Sequence, residues 1–194
     1  MPRINSVKKA RKAQGKCGHC GKDIVVGDAY IWIKPRYGGK RIRCTAAKCR
    51  FRASDLTGSD KLSRVYSAQE NVEDFVNDWD GDEGDVSALR DALEEAAEEI
   101  REVGQEYQES ADNIRDSFSE SSTADECEEK AQELEGWADE IESAMDELTD
   151  FEPDEDETKE ADDDEPRDSE GRTADEWREA MVEAAQGPLS DCPV

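Results

Sequence analysis

Lys16-Cys17-Gly18-His19-Cys20-Gly21-Lys22 and Cys44-Thr45-Ala46-Ala47-Lys48-Cys49, with 23 residues between the two cysteine pairs, are the stretches that decide the fold of the N-terminal region. Two close pairs at this separation fit one tetrahedral four-thiolate zinc site, because each pair puts two sulfurs on a single tight turn. Gly18 and Gly21 permit the first turn, and Lys16 and Lys22 favour the thiolate form that metal binding requires. The apolar residues around the cysteines (Ile24, Val25, Val26, Tyr30, Ile31, Trp32, Ile33, Tyr37, Ile42, Phe51, Leu56) make a core small enough to need a staple. Two disulfides would also serve. However, Met1–Ser6 leads into no apolar signal segment, so a reducing cytoplasmic setting and a metal are expected.

Working outward, residues 6–14 are helix-permissive and Gly15 stops them before the first cysteine pair. Asp23–Gly27 reads as a short strand or turn. Tyr30–Lys34 and Arg41–Cys44 read as strands, and Pro35-Arg36-Tyr37-Gly38-Gly39-Lys40 joins them, so residues 29–44 form a hairpin. A knuckle, a hairpin and a second cysteine pair leading into a helix describe a zinc ribbon or treble clef. His19 is the only histidine and lies inside the knuckle, where ligation would strain the turn, so it is read as a surface donor.

The whole chain has 194 residues, 52 Asp and Glu against 25 Lys and Arg, and a formal charge of −27. The charge is divided. Residues 1–66 carry 17 basic and 4 acidic side chains, residues 67–150 carry 4 and 31, and residues 151–194 carry 4 and 17. The asymmetry points to a polyanionic partner for the head; the acidic body either repels that partner or folds back on the head and competes with it. Adaptation to a saline cytoplasm would explain the acidic body but not the basic head. No run of 18 apolar residues exists, so no membrane span is expected.

Asp60–Trp79 carries a helical stripe (Leu62, Val65, Tyr66, Val72, Phe75, Val76, Trp79), with Ser67 and Glu70 as an alternative capping box for a later start. Asp80–Asp85 breaks it as a hinge. Leu89, Leu93, Ala96, Ile100, Val103, Tyr107, Ala111, Ile114 and Phe118 then follow in steps of three or four. After Ser119–Ser122, a Thr123/Glu126 capping box opens a second stripe of Ala124, Cys127, Ala131, Leu134, Ala138, Ile141, Met145 and Leu148. The two helices form an antiparallel, coiled-coil-like hairpin about 45 Å long. Cys127 acts there as a small hydrophobe, and Cys192 falls in a frayed tail.

The expected fold class is mainly α with a small β part. The divisions are a basic arm (1–15), a zinc-binding domain (16–58), a connecting helix (59–80), an acidic helical hairpin (81–150), a disordered acidic linker (151–172), and a short helix with tail (173–194). The last begins at a Thr173/Glu176 capping box and carries Trp177, Met181 and Ala184; it either docks on the hairpin or a partner, or is marginal alone.

Catalysis finds no machinery. His19 is the only imidazole, four cysteines would close a zinc shell, and no phosphate- or dinucleotide-binding glycine pattern occurs. The expectation is a non-enzyme with no small-molecule substrate. Nucleic-acid contact has better support: Lys8, Lys9, Arg11, Lys12 and Lys16 precede the first cysteine, Lys34, Arg36, Lys40, Arg41 and Arg43 cluster on the hairpin with Trp32 and Tyr37, and Lys48, Arg50 and Arg52 flank Cys49. Clustered cations attract phosphates and interleaved aromatics stack on bases; nothing reads a base sequence, so the contact is backbone-driven. The alternative is that Trp32 belongs to the core and the cations only solubilise the head.

Lys9–Glu70, through its Cys-Gly-His-Cys-Gly-Lys-Asp-Ile, its Tyr-Ile-Trp-Ile-Lys-Pro-Arg-Tyr-Gly-Gly-Lys-Arg-Ile-Arg-Cys hairpin and its Arg-Ala-Ser-Asp-Leu-Thr, resembles small zinc-finger proteins encoded by tailed viruses of prokaryotes. The resemblance covers about a third of the chain and implies one structural zinc on Cys17, Cys20, Cys44 and Cys49 and a viral source acting in the host cytoplasm. A virion-assembly or scaffold role, with partner binding or self-association through the hairpin, is the alternative, as is an acidic decoy that mimics DNA.

Overall fold

The computed structural model describes residues 2–36, 38–81, 85–118, 120–153 and 167–193. They are mainly helical, with two small antiparallel sheets near the N-terminus, and divide into two compact units, Met1–Ser67 and Ala68–Val194.

The first unit is built on strands. β4 (Tyr30–Ile33) and β5 (Arg41–Cys44) form the expected hairpin, with Tyr30 opposite Cys44 and Ile33 opposite Arg41. Residues 6–14 do not form a helix. β1 (Asn5–Val7) instead adds an edge strand to β4, with Ser6 opposite Ile31, and β2 (Gly15–Lys16) pairs with β3 (Asp23–Ile24). Between them the Ala10 N–H donates to the Asp28 carbonyl (2.8 Å) and the Gly27 N–H to the Ala10 carbonyl (2.9 Å). A helix here would stack Lys8 on Arg11 and Lys12, like charges one turn apart, and a short helix is marginal in water; pairing with a neighbouring strand avoids both costs. Asn5–Val7 of the basic arm is therefore part of the sheet, and residues 8–14 run on from it as irregular backbone. The buried cluster of Ala10, Cys17, Ile24, Tyr30 and Cys49, packed by Val7, Trp32, Ile42 and Cys44, contains two of the four paired cysteines outright. After the short helix α1 (Ala53–Leu56), α2 (Asp60–Asp78) starts at the earlier of its two candidate sites.

The second unit is built on α3 (Ser87–Ser117) and α4 (Ser122–Glu147). Arg101 pairs with Asp139 (3.0 Å) and Glu142 (2.6 Å), and Arg115 with Asp125 (3.0 Å) and Glu128, so rising numbers on one helix meet falling numbers on the other. The helices are antiparallel. Leu89, Leu93, Ile100, Leu134, Ile141 and Leu148 are fully buried between them, as the periodicity predicts. Phe118, the last residue of the first stripe, is 69% exposed because α3 has already ended. Thr123 and Glu126 do not open α4. Ser121 is its N-cap, and its carbonyl accepts from Ala124 N–H (3.0 Å); the earlier start sets Ala124 on the buried face.

The C-terminal helix α5 (Ala174–Gln186) docks. Its Thr173/Glu176 capping box forms, with Glu176 N–H donating to Thr173 Oγ1 (3.3 Å) and Thr173 N–H to Glu176 Oε2 (2.9 Å). Trp177 is buried between Trp79 and Phe151, each 5.7 Å away by ring centroid, and its indole N–H donates to the Thr149 carbonyl (2.7 Å). Trp137 donates likewise to the Pro188 carbonyl (2.7 Å). Gly81, at φ +66°, passes under this site, where a Cβ would meet Trp177 Cζ3 at 3.2 Å. Of the segment expected to be a disordered linker, residues 154–166 lie outside the described residues, but its two ends have defined places. Pro153 bridges Asp168, Arg167 bridges Thr173, and buried Asp168 accepts from Glu170 N–H (3.0 Å), Arg172 N–H (2.8 Å) and Arg172 Nε (2.8 Å). A buried carboxylate with three donors supplies the fixed point that composition alone does not reveal.

Candidate metal centre and basic face

Cys17 and Cys20 lie in the turn between β2 and β3. Cys17 N–H donates to the Lys22 carbonyl (2.8 Å) and Gly21 N–H to the Cys17 carbonyl (3.0 Å), closing the loop with Gly21 at φ +73°, a conformation that suits glycine. Cys44 ends β5, and Cys49 ends the 3₁₀ turn Ala47–Cys49. Two bonds hold the halves together: Gly18 N–H donates to the Ile42 carbonyl (2.9 Å), and Cys44 N–H to Cys17 Sγ (3.3 Å).

The four sulfurs all lie within 4.8 Å of one another, and the Cys20–Cys44 pair is 3.8 Å apart. Sulfurs about 2.3 Å from a central ion at the corners of a tetrahedron stand about 3.8 Å apart. A disulfide needs about 2.05 Å, and all six cysteines are free. The arrangement therefore fits one shared metal ion rather than two separate bonds. Cys17 and Cys49 are buried, Cys44 is half-buried and Cys20 is exposed.

The thiols differ in acidity. Burial works to raise Cys17, but the backbone N–H groups of Cys20, Cys44 and His19 and the Cys20 thiol outweigh it and bring it down to about 6. Burial, reinforced by the thiols of Cys44, Cys20 and Cys17, pushes Cys49 up to about 12. The surroundings therefore favour the thiolate at Cys17 and the thiol at Cys49, and a metal ion bound by all four sulfurs would displace the protons that remain. His19 is exposed and stands outside the sulfur cluster.

Of the basic residues singled out from sequence, Lys8, Lys9, Arg11, Lys12, Lys16, Lys34, Arg36, Lys40, Arg41, Lys48, Arg50 and Arg52 are exposed. Tyr37 lies outside the described residues. Arg43 is different. Its guanidinium grips Asp55 with two bonds (2.7 and 2.6 Å), donates to the Arg50 carbonyl (2.9 Å) and sits 4.7 Å over the Phe51 ring, so it ties β5 to α1. Asp55 also accepts from Arg52 N–H (3.1 Å). Asp55 is one of only 4 acidic residues in a strongly basic segment, and that isolation is the sequence signal that could have exposed its role.

Two shallow grooves share Lys40, the first of them reaching the metal-binding loop at Gly18. One, of about 480 Å³, is lined by Gln14, Lys16, Gly18, Lys40, Arg41, Ile42, Arg43 and Asp55. The other, of about 390 Å³, is lined by Val7, Lys9, Arg11, Lys12, Gln14, Tyr30 and Lys40. Gln14, absent from the sequence expectations, belongs to both. No helix among the described residues is long and apolar enough to cross a membrane. Neither family models, nor curated proteins, nor solved structures give a match to this chain.

Proposed function

We propose that Cys17, Cys20, Cys44 and Cys49 hold one structural Zn²⁺, and that the unit so fixed, a zinc ribbon or treble clef, presents its cations to nucleic acid. The observation that carries the reading is four thiols within 4.8 Å of one another in a unit whose exposed surface is crowded with Lys and Arg. Four soft thiolates at tetrahedral spacing suit zinc, and a closed sulfur shell suits a structural role, in which the ion cross-links the β2–β3 turn to β5 and the 3₁₀ turn. That cross-link supplies what a five-residue buried cluster cannot. The reading is a binding protein rather than an enzyme. The resemblance of residues 9–70 to zinc-finger proteins of tailed viruses supports the same view. The α3–α4 pair serves as a coiled-coil-like surface for a protein partner or a second copy.

Elemental analysis of the purified full chain, with gel-shift titrations before and after chelation, tests this. One zinc per chain is expected, with nucleic-acid binding lost on chelation and restored by zinc. Metal-free protein that binds undiminished, or zinc-loaded protein that never binds at low salt, overturns it.

A further inference from the structure

We infer that the two grooves meeting at Lys40 form one binding face for the phosphate backbone of a nucleic-acid duplex. This rests on the nucleic-acid reading above and narrows it to a ligand form and a set of residues.

The first argument is continuity. Lys40 and Gln14 line both grooves, so Lys9, Arg11 and Lys12 on one side join Lys16 and Arg41 on the other. At the junction the Lys40 ammonium is held 4.4 Å over the Trp32 ring and 5.3 Å over the Tyr30 ring. The rings fix the charge in position, and an ordered cation loses less freedom when it meets a phosphate. Arg43, although it lines the first groove, has its charge already matched by Asp55 and adds none.

The second argument concerns the aromatics. A single strand is gripped by stacking its bases on exposed rings. Among the described residues of this unit, Tyr30, Phe51 and Tyr66 are buried, and the half-buried Trp32 lies under Lys40. Phe51 is covered in addition by Arg43. Among the described residues no open ring stands beside the six groove cations, so the described part of the face offers charge without a stacking platform. A duplex, whose bases are already stacked on each other and whose phosphates face outward, is the form that this chemistry fits.

The experiment uses the zinc-loaded full chain with a 20-base-pair duplex and a single strand of the same sequence, each titrated over a salt series. The duplex is expected to bind at least fivefold more tightly. Lys40→Gln and Lys16→Gln are each expected to flatten the slope of log K against log salt by about 0.9, the value for one phosphate contact. Arg3→Gln, which removes an exposed cation outside both grooves, leaves the slope unchanged. Zinc content is measured for every variant; if Lys40→Gln loses metal, Lys40→Arg, which keeps the charge, must retain the parental slope. Tighter binding of the single strand, or a slope that falls with Arg3→Gln but not with Lys40→Gln, overturns the inference and leaves the nucleic-acid reading standing. No binding of either form at low salt overturns that reading itself.

Discussion

Arg43 and Asp168 show how much one side chain can hide. In sequence, Arg43 is one more cation in a basic hairpin; in the fold it is spent on Asp55 and Phe51. Asp168 sits in an acidic run that composition marks as unstructured, yet it is buried and anchors a turn. Spacing rules find residues that repeat, and neither of these repeats, so neither was legible; the four cysteines, whose chemistry is in their spacing, were. Asp168 also carries a pH dependence. Burial opposes its ionisation, but the N–H groups of Arg172 and Glu170 and the Arg172 guanidinium outweigh it and hold the carboxyl below its ordinary value. A carboxyl depressed in the folded state stabilises that state above its unfolded value of about 3.9 and loses the contribution as pH falls through the folded value. Asp168→Asn is therefore expected to lower stability by about 1–3 kcal/mol at neutral pH, from donors left unmatched. The gap between variant and parent closes as urea titrations are taken below about pH 4. A gap that persists unchanged in acid would count against this assignment.

Among the elements, two glycines in facing helices make opposite predictions. Gly104 of α3 is buried where a Cβ would lie 3.4 Å from the Ala131 carbonyl oxygen and 3.6 Å from Leu134 Cβ, while a Cβ on Gly136 of α4 would meet nothing within 4 Å. Gly136→Ala is expected to stabilise the helix pair by about 1 kcal/mol, since only the backbone entropy of glycine is removed. Gly104→Leu is expected to cost about 1–3 kcal/mol by wedging the helices apart. Thermal unfolding of the two variants checks both signs. The helices were legible because the apolar residues recur at 3.6-residue spacing over many turns. The N-terminal arm was not, because β1 is only 3 residues long and owes its form to β4, which lies far away in sequence. The docking of α5 was legible only as an amphipathic turn, since its partners Trp79, Thr149 and Phe151 come from two separate regions.

For the molecule as a whole, the charge boundary read from sequence falls close to the boundary between compact units: residues 1–67 have 17 basic and 4 acidic side chains, and residues 68–194 have 8 and 48. Each unit has its own buried residues, and those of the first include Cys17 and Cys49. A chelator is therefore expected to abolish the unfolding transition of the first unit while most helical circular dichroism survives, because α3, α4 and α5 all belong to the second. Loss of the helical signal on chelation would mean that the units depend on one another. Added salt is expected to raise the melting temperature of the acidic unit by screening its self-repulsion, a shift followed in the same experiment. One last property comes from the bridge between Pro153 and Asp168, which brings the two ends of the intervening 154–166 stretch side by side. With Phe151 packed on Trp177 and Asp168 held by the Glu170 and Arg172 N–H groups, the two flanks keep their places through contacts of their own. Two pieces cut apart between Pro153 and Arg167 are therefore expected to elute together in gel filtration, and separate elution would count against this.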